Sequence, residues 1–264
     1  MFIYKTSFIN NMYNFIVEDG YNTSYMDSLF MGLFYTPSLI ENIILNNIPK
    51  KIDNIYLQEI IKDKFVDIIK NGKSVLFDTI NEIRNIFVMY RWLDYDIICN
   101  PQPVNEFYNF VADTFLSPIQ LQKKGSTVTN NVYYININID DKSNNILSLK
   151  DIYIKWLQNE QSTIINIPHI LPFYISRMNN KNKINIQKRI KLDPNDNDNV
   201  LDWTFHSAIC LKDDHYYTLL QNCGKWFIYD NNNVPCINEV KMNDMDIINK
   251  IMLEVVMIFY VYNQ

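Results

Sequence analysis

The spacing of apolar residues changes near Asp113, and this change constrains the fold more than any other feature of the chain. Before it, apolar residues recur every three or four positions, as they do within 26–33, which is typical of one face of a helix. After it, residues 132–139 alternate apolar and polar side chains, as a half-buried strand does. The chain is therefore predicted to be α+β, one domain with a mainly helical part at 1–113 and a sheet-rich part at 114–264.

Other segments follow the same two patterns. Helical spacing predicts helices at 55–69, 74–87 and 107–115, with a short helix at 149–157. Strands are predicted at 184–192, 205–211, 216–221, 225–229 and 256–262. Turn-rich stretches lie at 123–127, 140–145, 179–182 and 193–199. None of these stretches is long enough to predict a linker between domains.

Composition narrows the class of protein. Apolar residues make up 48% of the 264 positions and aromatic residues 14%, which indicates a well-packed globular chain. The formal net charge is -5 and there is no polybasic segment, so nucleic acid is not a predicted partner. The longest apolar run, at 255–262, is too short to cross a bilayer, so no membrane partner is predicted either.

The cysteines point to a reducing compartment and away from a metal site. There are four, Cys99, Cys210, Cys223 and Cys236, and no two form a C-x-x-C pair. The N-terminal residues lack the charged and apolar regions of a secretory signal. We therefore expect free thiols, no metal or other cofactor, and a cytoplasmic or nuclear location.

Two segments almost two hundred residues apart hold side chains suited to acyl transfer. In the first, Ser24 stands at the predicted start of a helix, where exposed backbone N–H groups stabilise a nucleophile or a developing oxyanion. The simpler interpretation of Ser24 is a helix N-cap. In the second, His215 begins a predicted strand and Asp230 follows the next one, which are the positions of a possible base and its orienting carboxylate. The simpler interpretations are a surface loop histidine and a turn aspartate.

The other two histidines are weaker candidates for chemistry. His206 stands within an apolar strand segment, which favours a structural role. His169 precedes a predicted buried strand and fits no catalytic pattern.

Both segments resemble the signature boxes of the ubiquitin-specific proteases, a family of papain-like deubiquitinating enzymes. The first box is similar at Asn22, Thr23, Tyr25, Met26, Ser28 and Leu29. The second resembles Gly-His-Tyr and Trp-Tyr-x-Phe-Asp in the stretches DHY at 214–216 and WFIYD at 226–230. The resemblance implies a helical thumb lobe packed on an antiparallel-sheet palm, with His215 as general base and Asp230 orienting it. Ser24 occupies the position of the family's nucleophilic cysteine.

A third stretch resembles the family's segment for binding the substrate tail. Residues 102–107 read QPVNEF, similar to Gln-Asp-Ala-x-Glu-Phe, although Pro103 replaces the aspartate. The resemblance implies that Glu106, with Gln102 and Tyr216, contacts the basic C-terminal tail of ubiquitin. A solvated glutamate on a helix is the simpler interpretation of Glu106. Weaker similarity at 170–186 and 257–262 extends the resemblance from Val17 to the end of the sequence.

Two departures from the family pattern affect the expected site. Residues 120–124 stand where many relatives carry the first of two C-x-x-C pairs, so we predict shortened fingers and no structural zinc. Asp19 occupies the offset where the family commonly has an oxyanion-binding Asn or Gln, and a carboxylate would repel an oxyanion unless it were protonated. Asn22 and the backbone N–H of Ser24 are the other oxyanion candidates.

The resemblance implies a deubiquitinase that hydrolyses the isopeptide or peptide bond after the C-terminal glycine of ubiquitin through a thiol. With Ser24 in place of cysteine, the chain is expected to be inactive or strongly impaired, because a hydroxyl has a far higher pKa than a thiol. If Ser24 is a replacement, the chain is a substrate trap, which is the interpretation we favour. If Ser24 is native, the chain is a ubiquitin-binding pseudoenzyme or an unusual serine hydrolase.

The expected partners are ubiquitin or ubiquitinated proteins bound by a monomer, and a protease for another ubiquitin-like modifier is a further alternative. The compact length and the Asn/Ile/Lys-rich composition, typical of an A+T-rich genome, suit a viral or parasite protein acting in a host cell.

Overall fold

The computed structural model describes residues 15–49, 51–138, 146–177, 182–193 and 200–262. The α-helices are α1 (Ser24–Phe34), α2 (Leu39–Asn46), α3 (Ile55–Ile61), α4 (Asp67–Lys70), α5 (Phe77–Met89), α6 (Val104–Phe115), α7 (Leu149–Glu160) and α8 (Met245–Glu254). A π-helical segment, Lys62–Val66, joins α3 to α4, and short 3-10 helices lie at Ile52–Asn54 and Tyr95–Ile97.

The strands begin after α6. They are β1 (Ile119–Lys123), β2 (Thr129–Val132), β3 (Ile135–Ile137), β4 (Ile146–Ser148), β5 (Ser162–Ile164), β6 (Ile170–Ile175), β7 (Lys183–Asn185), β8 (Arg189–Leu192), β9 (Leu201–Lys212), β10 (His215–Asn222), β11 (Lys225–Tyr229), β12 (Ile237–Val240) and β13 (Val255–Tyr262). The α+β class predicted from the change of period is therefore confirmed. The assignment of the whole chain to one domain stays a prediction.

The main sheet has eight strands and is built around β9. Its order is β12-β11-β10-β9-β13-β6-β3, and β8 also pairs with β9. One edge of β9 pairs with β13, while the other edge pairs with β8 near its start and with β10 near its end. All of these pairs are antiparallel except β3 with β6. Successive side chains of β9 and β13 enter different apolar clusters, one shared with the N-terminal helices and one with β1 and α7.

Helix α1 lies against β9 and β10, and all of its residues are buried. On the sheet side, the Ser207 hydroxyl donates to the Gly32 carbonyl at 2.7 Å and the Thr218 hydroxyl donates to the Ser28 carbonyl at 2.8 Å. A Cβ on Gly32 would lie 3.3 Å from the Ser207 hydroxyl, so a glycine suits this close approach. On the opposite side, Phe30 packs against aromatic rings of the surrounding helices. These contacts fix the start of α1 relative to the ends of β9 and β10.

The prediction of a single strand at 132–139 is wrong. The structure has two strands there, separated by a bend at Tyr133 and Tyr134. β2 pairs with β1 in a three-stranded sheet of order β2-β1-β5, whereas β3 joins the main sheet beside β6. The two tyrosines turn toward α6, where the Tyr133 hydroxyl donates to Asp113 at 2.7 Å and the Tyr134 hydroxyl accepts from Asn105 at 3.3 Å. Alternation predicts which side chains share a face, but it does not identify the partner strand.

Two further predictions needed correction. The strand expected at 184–192 is divided, because β7 pairs with β4 in a separate two-stranded sheet and β8 joins β9. The helix expected from 74 begins only at Phe77, whose backbone N–H donates to the Glu18 carboxylate at 2.7 Å. Val75 instead pairs with Val17 in an isolated parallel bridge. In both cases a tertiary partner decides where the element begins.

The remaining elements agree with the sequence predictions. Helices are present where they were predicted, around 26–33, 55–69, 107–115 and 149–157. Strands are present where they were predicted at 205–211, 216–221, 225–229 and 256–262. All four cysteines are free thiols. The predicted turn stretches at 140–145, 179–181 and 194–199 lie outside the described residues. Across the described ranges no single helix is long and apolar enough to span a bilayer. Taken together, α1 and α2 meet the same requirements of length and apolar composition, but the pair is bent by 110°.

Candidate active site

The turn before α1 is fixed by its own backbone. Asn22 has a φ of 55°, a left-handed conformation that asparagine tolerates better than most residues. The N–H of Gly20 donates to the Thr23 hydroxyl at 2.7 Å. A Cβ on Gly20 would lie 2.8 Å from side-chain atoms of Asn81, Ile80 and Thr23, so a larger residue would force the turn to shift. The turn therefore delivers Ser24 as the first residue of α1.

His215 and Asp230 are held as a pair by the hairpin of β10 and β11. The two strands are in register with Thr218 opposite Tyr229, which places Asp230, just beyond β11, beside the start of β10. The distance from His215 Nε2 to Asp230 Oδ1 is 2.9 Å. Burial raises the pKa of Asp230, but the hydrogen bonds from His215 and from the Asn232 N–H outweigh this effect and lower it. When Nε2 donates to the carboxylate, the lone pair of Nδ1 is free to take a proton.

The strand that begins with His215 also meets Ser24. The backbone N–H of Tyr216 donates to the Ser24 hydroxyl at 3.4 Å, and Ser24 is 8% exposed. The Tyr216 hydroxyl accepts from the Val104 N–H at 3.3 Å, at the start of α6. Burial raises the pKa of Tyr216 to about 12, so this side chain is neutral near pH 7. Tyr216 thus joins the beginnings of α1 and α6 next to the His215–Asp230 pair.

The two turn residues before His215 both have left-handed backbones. Asp213 has a φ of 48° and Asp214 a φ of 62°. Two consecutive positive φ values are typical of the type I′ turn that joins antiparallel strands. Glycine adopts this conformation without strain, which explains why a Gly-His-Tyr pattern suits the same turn.

The oxyanion candidates are engaged in local contacts. The Asn22 side-chain amide donates to the Cys99 carbonyl at 2.7 Å. The Asp19 carboxyl accepts from the Thr23 hydroxyl at 3.1 Å. The backbone N–H of Ser24 lies in the first turn of α1, where such groups have no partner within the helix. The oxyanion roles of Asn22, Asp19 and Ser24 stay predictions.

The residues predicted to bind a substrate tail lie on or beside α6. Gln102 is buried, and its amide donates to the carbonyls of Ile97 and Asn100 at 3.2 and 3.1 Å, so it holds the loop before α6. Glu106 is exposed on α6 and borders an open groove of about 530 Å³. The groove is lined by Trp92, Glu106, Asn109, Phe110, Asp113, Tyr133 and Tyr134. Tail binding by Gln102, Glu106 and Tyr216 stays a prediction.

Sequence reasoning missed Asp27, which lies one turn after Ser24 on α1. Its side chain is completely buried, and its pKa is raised well above the usual range. The larger cause is burial, and the second is the charge of the nearby Asp19. Asp27 Oδ2 lies 3.0 Å from the Thr23 hydroxyl and accepts from the Asn231 amide at 3.2 Å. A carboxyl in a segment where apolar residues dominate was the available signal, since buried acids are rare without a polar partner.

The other candidates from the sequence lie elsewhere. His206 is buried, and burial lowers its pKa to about 4, so it is neutral near pH 7, as a structural histidine would be. His169 lines a separate cavity near β6. Within the described ranges, no cluster of three or more His, Cys, Asp or Glu side chains could hold a metal ion. Residues 120–123 form most of β1, and the assignment of this region to shortened fingers stays a prediction.

No protein-family model and no curated protein matches the sequence. Solved structures do match the fold. A chain of the SAGA deubiquitinating (DUB) module of Ubp8, Sgf11, Sus1 and Sgf73 bound to monoubiquitin is 11% identical, with a TM-score of 0.66, and the match covers 100% of this chain and 72% of that chain. An essential yeast splicing factor is 12% identical, with a TM-score of 0.64 and coverage of 96% and 70%.

The third match is the pseudoubiquitin hydrolase–RNA exonuclease module of Saccharomyces cerevisiae Pan2, in complex with AAGGA RNA. It is 12% identical, with a TM-score of 0.61, and the match covers 97% of this chain and 55% of that chain. Two of these three structures are thus described with reference to ubiquitin, one as a DUB module bound to monoubiquitin and one as a pseudoubiquitin hydrolase module. The chain has an α+β fold of the ubiquitin-protease type.

Proposed function

We propose that this chain is a ubiquitin hydrolase of the cysteine-protease type in which Ser24 stands at the position of the nucleophile. The observation that carries the proposal is the approach of α1 to the hairpin of β10 and β11. The Ser24 hydroxyl lies 3.4 Å from the Tyr216 N–H, and the preceding residue, His215, lies 2.9 Å from Asp230. A nucleophile, a base and an orienting carboxylate in this order suit acyl transfer.

The proposed reaction with cysteine at position 24 has two steps. The thiolate attacks the carbonyl carbon of the terminal glycine of ubiquitin, and His215 gives a proton to the departing lysine amine, so a thioester forms and the amide bond breaks. Water then attacks the thioester, with His215 accepting its proton, and the thiol is released. Asp230 keeps the imidazole in the tautomer that leaves Nδ1 facing away from the carboxylate.

With Ser24 the same site has a weaker nucleophile. His215 must then remove a proton from a hydroxyl, whose pKa is far above that of a thiol, so acylation is expected to be slow. The proposed state of this chain is therefore one that binds ubiquitin and turns it over at a strongly reduced rate. The helix dipole of α1 favours negative charge at position 24 in either form.

The proposed substrate path follows α6. The groove beside Glu106 is open and is lined by aromatic and acidic side chains, which suits an extended basic peptide such as the tail of ubiquitin. The similarity to a deubiquitinating module bound to monoubiquitin supports ubiquitin as the first ligand to test. A ubiquitin-like modifier with a basic tail is the alternative substrate under this proposal.

One observation favours a second candidate, a ubiquitin-binding protein without catalysis. It is that position 24 carries a hydroxyl and no thiol, while one N–H of the Asn22 amide is already bonded to the Cys99 carbonyl. The similarity to a module described as a pseudoubiquitin hydrolase suits this candidate. The two candidates differ in whether cysteine at position 24 restores chemistry.

Covalent capture tests the proposal. The Ser24→Cys variant is mixed with ubiquitin that carries a thiol-reactive electrophile at its C-terminus, and the adduct site is mapped by mass spectrometry. The proposal predicts an adduct at position 24 that forms slowly in Ser24→Cys/His215→Ala. The Ser24 parent, which retains all four native cysteines, is the matched control for nonspecific labelling. Rapid labelling of the parent, or none of the variant, would contradict the proposal.

A further inference from the structure

A partly buried side-chain contact joins the two halves of the site. Asp27 lies on α1 and Asn231 follows Asp230 in the loop after β11. The Asn231 amide donates to Asp27 Oδ2 at 3.2 Å across a separation of 204 residues. This contact connects the helix that carries Ser24 to the loop that carries the carboxylate partner of His215.

The hydrogen-bond geometry next to this contact favours an extra proton on one of two carboxyls. The Thr23 hydroxyl accepts from the Gly20 N–H, and it lies 3.1 Å from Asp19 Oδ1 and 3.0 Å from Asp27 Oδ2. A hydroxyl has one proton, so it can donate to only one of the two carboxyls. The oxygen of the other carboxyl then faces a lone pair of the hydroxyl, an arrangement that a proton on that carboxyl stabilises.

Burial identifies which carboxyl holds the proton. Asp27 is completely buried, whereas Asp19 is exposed to solvent, so charge is more favourable on Asp19. With the proton on Asp27, the Thr23 hydroxyl donates to the Asp19 carboxylate, and the neutral Asp27 carboxyl lies 3.0 Å from the same hydroxyl. Burial and the proximity of Asp19 both raise the pKa of Asp27, in agreement with this order.

The other polar groups around Asp27 do not replace that proton. The charge on Arg84 lowers the pKa of Asp27, but its guanidinium donates to the Tyr21 carbonyl. Burial raises the pKa values of Tyr25 on α1 and Tyr229 on β11, and the charge of an ionised Asp27 would raise them further. Near pH 7 these tyrosines are neutral, so the charged groups that act on Asp27 are the Asp19 carboxylate, which raises its pKa, and the buried Arg84, which lowers it.

We propose that Asp27 and Asn231 form a positioning pair, in which a neutral carboxylic acid on α1 holds the Asp230 loop so that the His215–Asp230 pair faces Ser24. The inference rests on the proposed function for its catalytic consequence. Neither residue touches the reacting atoms. Both act through Asp230, as residues behind a catalytic group do when they fix its orientation.

The consequence concerns turnover more than binding. Without the Asn231 contact, the Asp230 loop relaxes and the imidazole loses a fixed orientation, which lowers the rate of the chemical step. The proposed tail groove lies along α6 and does not include Asp27 or Asn231. We therefore expect kcat to fall about tenfold or more in Asn231→Ala on the Ser24→Cys background, with KM within about twofold.

The test uses two readouts. The first is kcat and KM for ubiquitin with a C-terminal fluorogenic amide, measured on the Ser24→Cys background. The second, on the Ser24 parent, is the NMR signal of the His215 Nε2 proton, whose exchange with water is slowed by the bond to Asp230. Asn231→Ala should lower kcat and speed this exchange, and Asp27→Ala should do the same. Asp27→Asn, a neutral side chain of the same shape, should be affected less than Asp27→Ala.

Asn233→Ala is the matched control, because Asn233 is an exposed residue of the same loop and its backbone contact to Asp230 is kept. Unchanged proton exchange in Asn231→Ala would overturn the positioning role, whether or not the enzyme turns over. Equal losses in Asn231→Ala and Asn233→Ala would also overturn it. If the exchange responds as expected but Ser24→Cys does not cleave ubiquitin, the proposed function fails and the positioning pair stands.

Discussion

The backbone N–H of Tyr216 donates a hydrogen bond to the side-chain hydroxyl of Ser24, a residue 192 positions earlier in the sequence. This bond joins the first residue of the central helix to the strand that begins with His215. The same strand carries Thr218, whose hydroxyl donates to the carbonyl of Ser28. The helix is therefore hydrogen-bonded to the strand at two positions one turn apart, Ser24 and Ser28. The geometry of the candidate site therefore depends on how α1 packs on the sheet.

Thr218→Val should loosen this attachment without changing the shape of the core. The hydroxyl of Thr218 is buried and donates to the Ser28 carbonyl at 2.8 Å. Loss of one such bond is expected to lower the free energy of unfolding by about 1 kcal/mol. Urea unfolding of the parent and the variant measures this. Thr163→Val, where the hydroxyl bond is 3.5 Å long and only partly buried, is the control and should change stability less.

Gly20→Ala and Gly32→Ala should change the free energy of unfolding by different amounts. A Cβ at Gly20 would lie 2.8 Å from three side-chain atoms, so we expect a loss of about 1–3 kcal/mol in the free energy of unfolding. At Gly32 the nearest atom would be 3.3 Å away, and the gain in helix propensity of about 1 kcal/mol offsets the tighter contact. Thermal unfolding compares the two variants. Equal destabilisation would contradict the difference in packing.

Asp27→Asn should change how stability depends on pH. Burial raises the pKa of Asp27 in the folded chain, whereas the unfolded carboxyl titrates near pH 4. The stability contributed by this group is therefore fully present below the unfolded pKa and is lost as pH rises toward the folded pKa. Asn has no proton to lose. The free energy of unfolding of the variant should therefore rise relative to that of the parent by up to about 1.4 kcal/mol per pH unit above pH 4.

Urea unfolding of both proteins at several pH values above 4 measures the difference directly. A difference that stays constant with pH would show that Asp27 is ionised in the folded chain. Asp246→Asn, at an exposed position in the first turn of α8, is the control for a general effect of removing one carboxyl.

Glu106→Gln should weaken the binding of ubiquitin by the Ser24 parent. Glu106 is exposed at the edge of the groove on α6, so its charge contributes a modest, salt-dependent attraction to a basic tail. We expect a loss of about 1 kcal/mol, roughly fivefold in Kd, at low salt. Isothermal titration calorimetry at two salt concentrations measures it. Glu160→Gln at the end of α7 is the control, and equal weakening by both variants would argue against a role for the groove.

Local patterns in the sequence predicted the parts of the site that each lie within one element. The helical spacing after Ser24, the strand that begins with His215 and the position of Asp230 after a strand all come from residues close together in the chain. The contact between Asp27 and Asn231 could not be predicted in this way, because it depends on how α1 packs against the loop after β11. The bend at Tyr133 and Tyr134 was missed for a similar reason, since both tyrosines contact side chains of α6.

The proposed hydrolase activity is tested most directly by the turnover of ubiquitin that carries a C-terminal fluorogenic amide. The three proteins to compare are the Ser24 parent, Ser24→Cys and Ser24→Cys/His215→Ala. We expect binding with little or no turnover by the parent, clear turnover by Ser24→Cys, and a loss of about 100-fold or more when His215 is removed. Binding without turnover by Ser24→Cys would contradict the catalytic proposal and favour a ubiquitin-binding protein. Failure of every form to bind would exclude ubiquitin as the ligand.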